Sequence, residues 1–201
     1  MMVMPRSSAA EAEQTRRAIL AETVQQMSVH GAGGISLGGI ATTLNMSKAG
    51  VVGPFRTREA LLLAAFDLGV AALRERVIDP ALVLHLGPGE QRLRVIVEGW
   101  TDYLVNSPFR GGCLLTSASF ELDGQSGPLR DHMVEAARQW RHFLRAQLSE
   151  AVAAGHRLPH DVPDTAALLI ALGLSLNQAV QLDDADTRDR TIRLLRETAG
   201  L

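Results

Sequence analysis

Three cations and three hydroxyls fall close together in the chain: Lys48, Arg56 and Arg58, with Ser36, Ser47 and Thr57. Ammonium and guanidinium groups attract phosphate oxygens. A Ser or Thr just ahead of a helix leaves backbone N–H groups and the positive helix end pointing at the same anions. From Ser36 to Arg58 there is no acid, although acids outnumber bases in the whole chain, 22 to 20. Divided after Ala60, the first part holds six Lys and Arg against four Asp and Glu, and the remainder 14 against 18. A small basic head on an acidic body fits a protein that reads nucleic-acid sequence better than one that coats nucleic acid generally.

Two short helices must position these groups. Ser36 caps a first helix whose apolar side is Leu37, Ile40, Ala41 and Leu44, the spacing of one buried face. Asn45 ends it, since Asn most readily accepts a left-handed turn, and Met46 supplies an apolar plug. Ser47 caps a second helix through Lys48, Ala49, Gly50, Val51 and Val52, which Gly53-Pro54 stops. Its small Ala49 and Gly50 permit close approach to base edges. Thr57 caps a third element beginning Arg58-Glu59-Ala60-Leu61. The layout is that of a helix-turn-helix DNA reader. The competing reading is a pair of short core helices with cations that serve solubility.

These residues resemble the N-terminal domain of TetR-family transcriptional regulators, over about Thr15 to Leu63. Arg17, Ile19 and Leu20 look like the family's opening helix, and His30-Gly31 like its end. Ile35-Ser36-Leu37 with Ile40-Ala41 resembles the start of its second helix, Asn45-Met46-Ser47-Lys48 its turn, Phe55 the aromatic closing the recognition helix, and Arg58-Glu59-Ala60-Leu61 the start of helix four. The resemblance implies that Ser36, Lys48 and Arg58 touch phosphates and that Ala49, Gly50 and Val51 lie nearest the bases. With Thr43, Ser47 and Arg56 these form the expected DNA-binding set. Val52 stands where the family often has a tyrosine against the DNA backbone, Gly53-Pro54 replaces a polar pair, and Gly38-Gly39 replaces an Arg-Asp type pair. Backbone anchoring therefore falls more heavily on Ser36, Lys48, Arg56 and Arg58.

With 201 residues, 46% of them hydrophobic and few aromatic, the chain reads as a helical protein with few strand signals. The expected fold class is all-α. It comprises a helix-turn-helix DNA-binding domain over 1–62, with 1–13 a flexible arm, and a larger helical ligand-binding and dimerisation domain over 63–201. The single cysteine, Cys113, excludes an internal disulfide and points to a reducing cytoplasm. The N-terminus does not read as a signal peptide, and no apolar run is long enough to span a bilayer.

Behind the head, the helix opened by Thr57 is expected to continue to about Arg76 and to end at Ile78-Asp79-Pro80, long enough to carry motion from the body to the reader. A break at Leu86-Gly87-Pro88-Gly89 follows. Further helices are expected at 90–106, 113–122, 128–154, 164–182 and 186–199, Pro128 suiting a first turn. The 164–182 segment is apolar around most of its circumference, with small Ala171, Gly173 and Ser175, and suits burial between neighbouring helices. With Ile192, Leu194 and Leu195 it is the expected homodimer surface. In the family the resemblance implies a four-helix bundle there. A monomeric core helix is the other reading.

The bulky aromatics gather in mid-body. Trp100, Tyr103, Phe109, Leu114, Phe120, Met133 and Trp140, with Asn177 as a polar group, form the expected pocket for a small apolar or aromatic effector. Core packing is the alternative for each of them. Cys113 is either a redox-sensing thiol or a small buried hydrophobe. His156 and His160 near Asp161 and Asp164 read as a solvated turn, and neither metal nor cofactor is expected. The resulting expectation is a ligand-responsive regulator, a repressor by family resemblance, that binds a pseudo-palindromic DNA operator as a dimer. The alternatives are a helical protein-interaction module and a small-molecule enzyme using the body pocket.

Overall fold

Hydroxyl caps, a left-handed asparagine and first-turn prolines cut the chain into helices, and no strand occurs among the described residues. The computed structural model describes residues 9–201. Helix α1 (Ala9–His30) leads into α2 (Leu37–Thr43) and α3 (Lys48–Val52), and α4 (Arg58–Leu73) leaves the head. A short α5 (Asp79–Val83) precedes α6 (Glu90–Val105), α7 (Leu114–Glu121), α8 (Pro128–Ala153), α9 (Val162–Gln181) and α10 (Ala185–Thr198).

Residues 1–8 of the expected arm lie outside the described residues. Ala9 to Glu13, expected in the same arm, instead form the start of α1. The Gly53-Pro54 stop is softer than expected, because the chain makes one 3₁₀ turn over Gly53–Phe55 before Arg56 swings to φ 69°. The exit of α4 also differs. Its helix passes into a π-turn over Arg74–Ile78 and on into α5, so Pro80 ends nothing. Pro80 sits in the first turn of α5, where a missing N–H leaves no intrahelical bond unmade. Asp161 accepts from the Asp164 N–H at 2.8 Å and starts α9 at Val162, ahead of the expected 164.

One hydrophobic core runs through head and body. In the head it is built on Ile19, Val24, Met27, Ile40, Val51 and Phe55, and α4 continues it through Leu61, Ala65 and Phe66. The body adds Val97, Tyr103, Leu104, Leu144, Leu148, Leu169, Leu176 and Leu195. Helix α4 packs on α1 in the head and on α7 and α8 in the body. A boundary after residue 62 thus falls inside a helix shared by both parts. Asp67 of α4 meets His132 of α8 at 2.6 Å, beside the edge-to-face contact of Phe66 with the His132 ring. Helices α9 and α10 pack tightly on each other, and α9 also lies against α6 and α8.

Candidate nucleic-acid interface and body cavity

Helices α2, α3 and α4 each open on a hydroxyl. Ser36 Oγ accepts from the Gly39 N–H at 3.3 Å, Ser47 Oγ from Gly50 at 3.0 Å and Thr57 Oγ1 from Ala60 at 3.0 Å. Asn45 takes φ 52°, and the Met46 N–H closes the turn on the Ala41 carbonyl at 2.8 Å. Lys48 and Ala49 are exposed at the start of α3, as are Ser36, Thr43, Ser47 and Arg56 nearby. The Thr43 hydroxyl donates back to the Gly39 carbonyl at 3.1 Å. A methyl at Gly38 would lie 3.0 Å from Lys48 Cε, so this glycine leaves room for the lysine stem to cross α2. Neither Lys48 nor Arg56 has an ion-pair partner among the described residues. Arg16 is stacked 5.1 Å from the centre of the Phe55 ring.

Three expected DNA contacts change. Val51, expected beside the bases, is fully buried and belongs to the head core. Helix α3 has only five residues, too few for periodicity to define its inward face. Gly50 is half-buried, and a Cβ there would meet Ser47 Oγ and Met46 Cε at 3.3 and 3.4 Å, so its small size first serves the closeness of the turn. Arg58 donates through Nη2 to the Ala32 carbonyl at 2.9 Å and the Ile35 carbonyl at 3.4 Å. Its guanidinium therefore holds the α1–α2 turn, leaving Lys48 and Arg56 as the unengaged cations of the expected set.

The head is latched to the body by contacts that spacing along the chain does not reveal. Glu121, the last residue of α7, accepts from the Ala32 and Gly33 N–H groups, each at 2.8 Å. Gln25 of α1 donates to the Pro108 carbonyl at 2.8 Å and accepts from the Arg110 N–H at 3.0 Å. Ser28 Oγ accepts from the Gly111 N–H at 3.0 Å. These partners lie more than eighty residues apart in the chain.

Inside the body, a cavity of about 80 Å³ is walled by Leu73, Trp100, Cys113, Leu115, Thr116, Ser119, Ala137, Trp140, Arg141, Ile170 and Leu174. Trp100 and Trp140 meet edge to face with centroids 5.0 Å apart, and Phe143 stacks behind Trp140 at 5.7 Å. Gly173 sits against the six-membered edge of Trp100. Of the expected pocket residues, Trp100 and Trp140 line this cavity. Tyr103, Phe109, Leu114 and Met133 are buried in the surrounding core and do not line it. Phe120 is 64% exposed, because the core and cavity occupy the other faces of the short α7. Asn177 turns away to cap α7, its Oδ1 accepting from the Cys113 N–H at 2.8 Å. The Tyr103 hydroxyl is enclosed beside the Cys113 thiol without a well-formed hydrogen bond, and burial drives its pKa far above the ordinary tyrosine value. Sequence reasoning missed Arg141, Thr116 and Ser119, polar wall residues with no pattern to single them out. His156, weighed beside His160, sets Nε2 against the Ala199 carbonyl at 2.8 Å.

A family model described as "Tetracyclin repressor-like, C-terminal domain" matches residues 89–195, more than half of the chain. No curated protein matches. Among solved structures the chain is similar to a TetR transcriptional regulator from Chloroflexus aurantiacus, at 23% identity and TM-score 0.77 over 92% of this chain and 94% of that one. It is similar to a TetR-family regulator from Cytophaga hutchinsonii, at 22% identity and TM-score 0.78 over 96% of each chain. It is also similar to AibR, solved with isovaleryl coenzyme A and operator DNA, at 21% identity and TM-score 0.72 over 92% of this chain and 99% of that one.

Proposed function

The chain belongs to the TetR family of transcriptional regulators, and from that premise we propose that it represses transcription as a homodimer on a pseudo-palindromic operator and lets go when a small effector enters the body cavity. The observation that carries this reading is a capped reader with two unengaged cations, Lys48 and Arg56, joined by α4 and α7 to the cavity walls. A relative of the same fold, AibR, was solved with both operator DNA and an acyl-coenzyme A, which supports DNA and a small molecule as the two partners.

Dimerisation uses α9 and α10. Helix α9 exposes Leu168 and Ala171, with Leu182 exposed just past its end, while its opposite side is buried in the core, an apolar remainder that suits a second copy. Two readers carried on one two-fold axis meet half-sites about 34 Å apart, one turn of the duplex, so their contacts add.

Release works through walls common to both sites. Leu73 ends α4, and Cys113, Leu115, Thr116 and Ser119 belong to or open α7. A molecule that enlarges the cavity pushes on both helices. Movement of α7 displaces the Glu121 carboxylate that holds the Ala32 and Gly33 amides, and movement of α4 carries Arg58 with its hold on the same turn. The two readers then lose their common spacing. The coupling is reciprocal, typically about 1–3 kcal/mol, so effector and operator weaken each other's binding equally.

The test is selection of random duplex DNA by the purified protein, followed by titration at several salt concentrations. A two-fold symmetric site is expected. Lys48→Ala and Arg56→Ala should each weaken binding to all sequences and flatten the salt slope by about one unit. No enrichment at modest salt, or unchanged slopes in both variants, would overturn the reading.

A further inference from the structure

We infer that the effector of this cavity is an amphipathic acid, with a single ring or short branched apolar body held against Trp100 and Trp140 and a carboxylate taken by Arg141, with Arg145 one helical turn away. This rests on the body being an effector site and adds the chemical class of the ligand. The apolar part of the claim follows from the walls, where two indoles, Leu73, Ile170 and Leu174 face a small space. The acidic part follows from the arginines.

Several other body arginines are committed to acids, Arg92 to Glu150 at 3.3 Å, Arg94 to Glu90 at 2.6 Å, Arg138 to Glu135 at 2.8 Å and Arg190 to Asp186 at 3.1 Å. Arg76 donates to the Asn106 carbonyl at 3.1 Å, and Arg157, without an ion pair among the described residues, does not line the cavity. Arg141 and Arg145 have no ion pair among the described residues, although both are exposed on α8. Like charges one turn apart on a helix repel by a few tenths of a kcal/mol. They are also placed together: Arg141 lines the cavity, and a second hollow beside it is lined by Arg141, Arg145, Ala166, Ala167 and Ile170. Arg141 and Ile170 are common to both. A ligand body in the inner cavity would thus carry its head group out to a fork of donors at the boundary. A guanidinium binds a carboxylate through two parallel N–H bonds, which fixes orientation as well as charge. Thr116, also in the cavity wall, adds a hydroxyl that can donate to the same carboxylate, while the Ser119 hydroxyl already donates to the Thr116 carbonyl at 2.7 Å.

Both tryptophans of the chain line the cavity, so intrinsic fluorescence reads its occupancy. The test titrates the full-length protein with phenylacetate, benzoate and 4-methylvalerate, each beside its uncharged amide. At least one acid should change the emission and bind about tenfold or more tighter than its amide, the advantage expected of a charge-assisted hydrogen bond. Arg141→Gln should bring acid and amide within about twofold, and Arg145→Gln should cost less, while circular dichroism shows both variants folded. No response to any acid, equal binding of acid and amide, or an acid preference that survives Arg141→Gln overturns the inference. So does dissociation of the dimer in Arg141→Gln, which would mean that the arginine pairs with an acid of the second copy. Random-duplex selection separates the two claims: DNA specificity without acid binding sinks this inference alone, whereas its absence sinks the regulator reading.

Discussion

The reader and the cavity are assembled over very different distances along the chain. In the reader, each cap and the amide it serves are three residues apart, Ser36 with Gly39, Ser47 with Gly50 and Thr57 with Ala60. The cavity draws its walls from α4, α6, α7, α8 and α9, between Leu73 and Leu174. Local hydrogen bonds set where the reader's helices begin and turn. The cavity has no shape until distant helices pack, and its space is what their side chains leave unfilled. Surface chemistry follows the same division. The reader offers cations and small residues on short turns, whereas the body offers two indoles in the cavity wall with Arg141 and Arg145 at its exposed edge. A site for a long, regular polyanion can be built from neighbours in sequence; one for a small apolar molecule has to be enclosed.

The junction between the two regions is where the comparison breaks most easily. A methyl at Gly111 would fall on the Ser28 carbonyl and close to the Val29 nitrogen, which are backbone atoms of α1 that cannot step aside. Gly111→Ala should therefore destabilise the protein by about 3 kcal/mol, as overpacking against an unyielding neighbour does. The melting temperature should drop by roughly 6–12 °C for a chain of this size, measured by calorimetry. A melting curve that does not move would mean that head and body are held together elsewhere.

A smaller effect is expected where the latch is made of hydrogen bonds alone. Glu121→Ala removes the acceptor for two backbone amides, a loss of about 2 kcal/mol when a charged acceptor is involved. The sharper readout is hydrogen exchange: amides of Ala32 and Gly33 should lose protection while those of α9 keep theirs. Equal loss in both places would show one cooperative body and erase the distinction between the regions.

The same division explains what could be read from the sequence. Helices α2 and α3, their caps and the Asn45 turn were legible because every determinant lies within a few residues. Pro128 and Gly155 bracket α8 for the same reason, with Gly155 at φ 95°. Val51 was misplaced because a five-residue helix shows no period, and its inward direction is set by packing against the rest of the head. Phe120 was misplaced because its size argued for burial, while α7 spends its other faces on the core and the cavity. Asn177 looked like a ligand contact, being polar on an apolar helix, yet its amide oxygen was claimed by the Cys113 N–H at 2.8 Å. Arg58 was read by its charge, whereas two backbone carbonyls in the α1–α2 turn decide its use. Glu121 had no signal at all, since its partners are 88 and 89 residues away.

The smallest predicted effect separates what a local cap does for the fold from what it does for the reader. Helix α3 is too short to hold itself, so Ser47→Ala should cost about 1 kcal/mol, the ordinary loss of an N-cap hydroxyl, seen as a lower urea midpoint. DNA affinity should fall with it, which alone would not tell a loosened helix from a lost phosphate contact. Ser47→Asp resolves the two, because a carboxylate caps as well as a hydroxyl and favours the positive helix end. The urea midpoint should return to that of the parent protein, yet DNA binding should stay weak at low salt, because the new charge beside Lys48 repels phosphate and engages the lysine. If Ser47→Asp recovers both stability and DNA affinity, the start of α3 does not face the phosphate backbone, and the docking face lies elsewhere on the head.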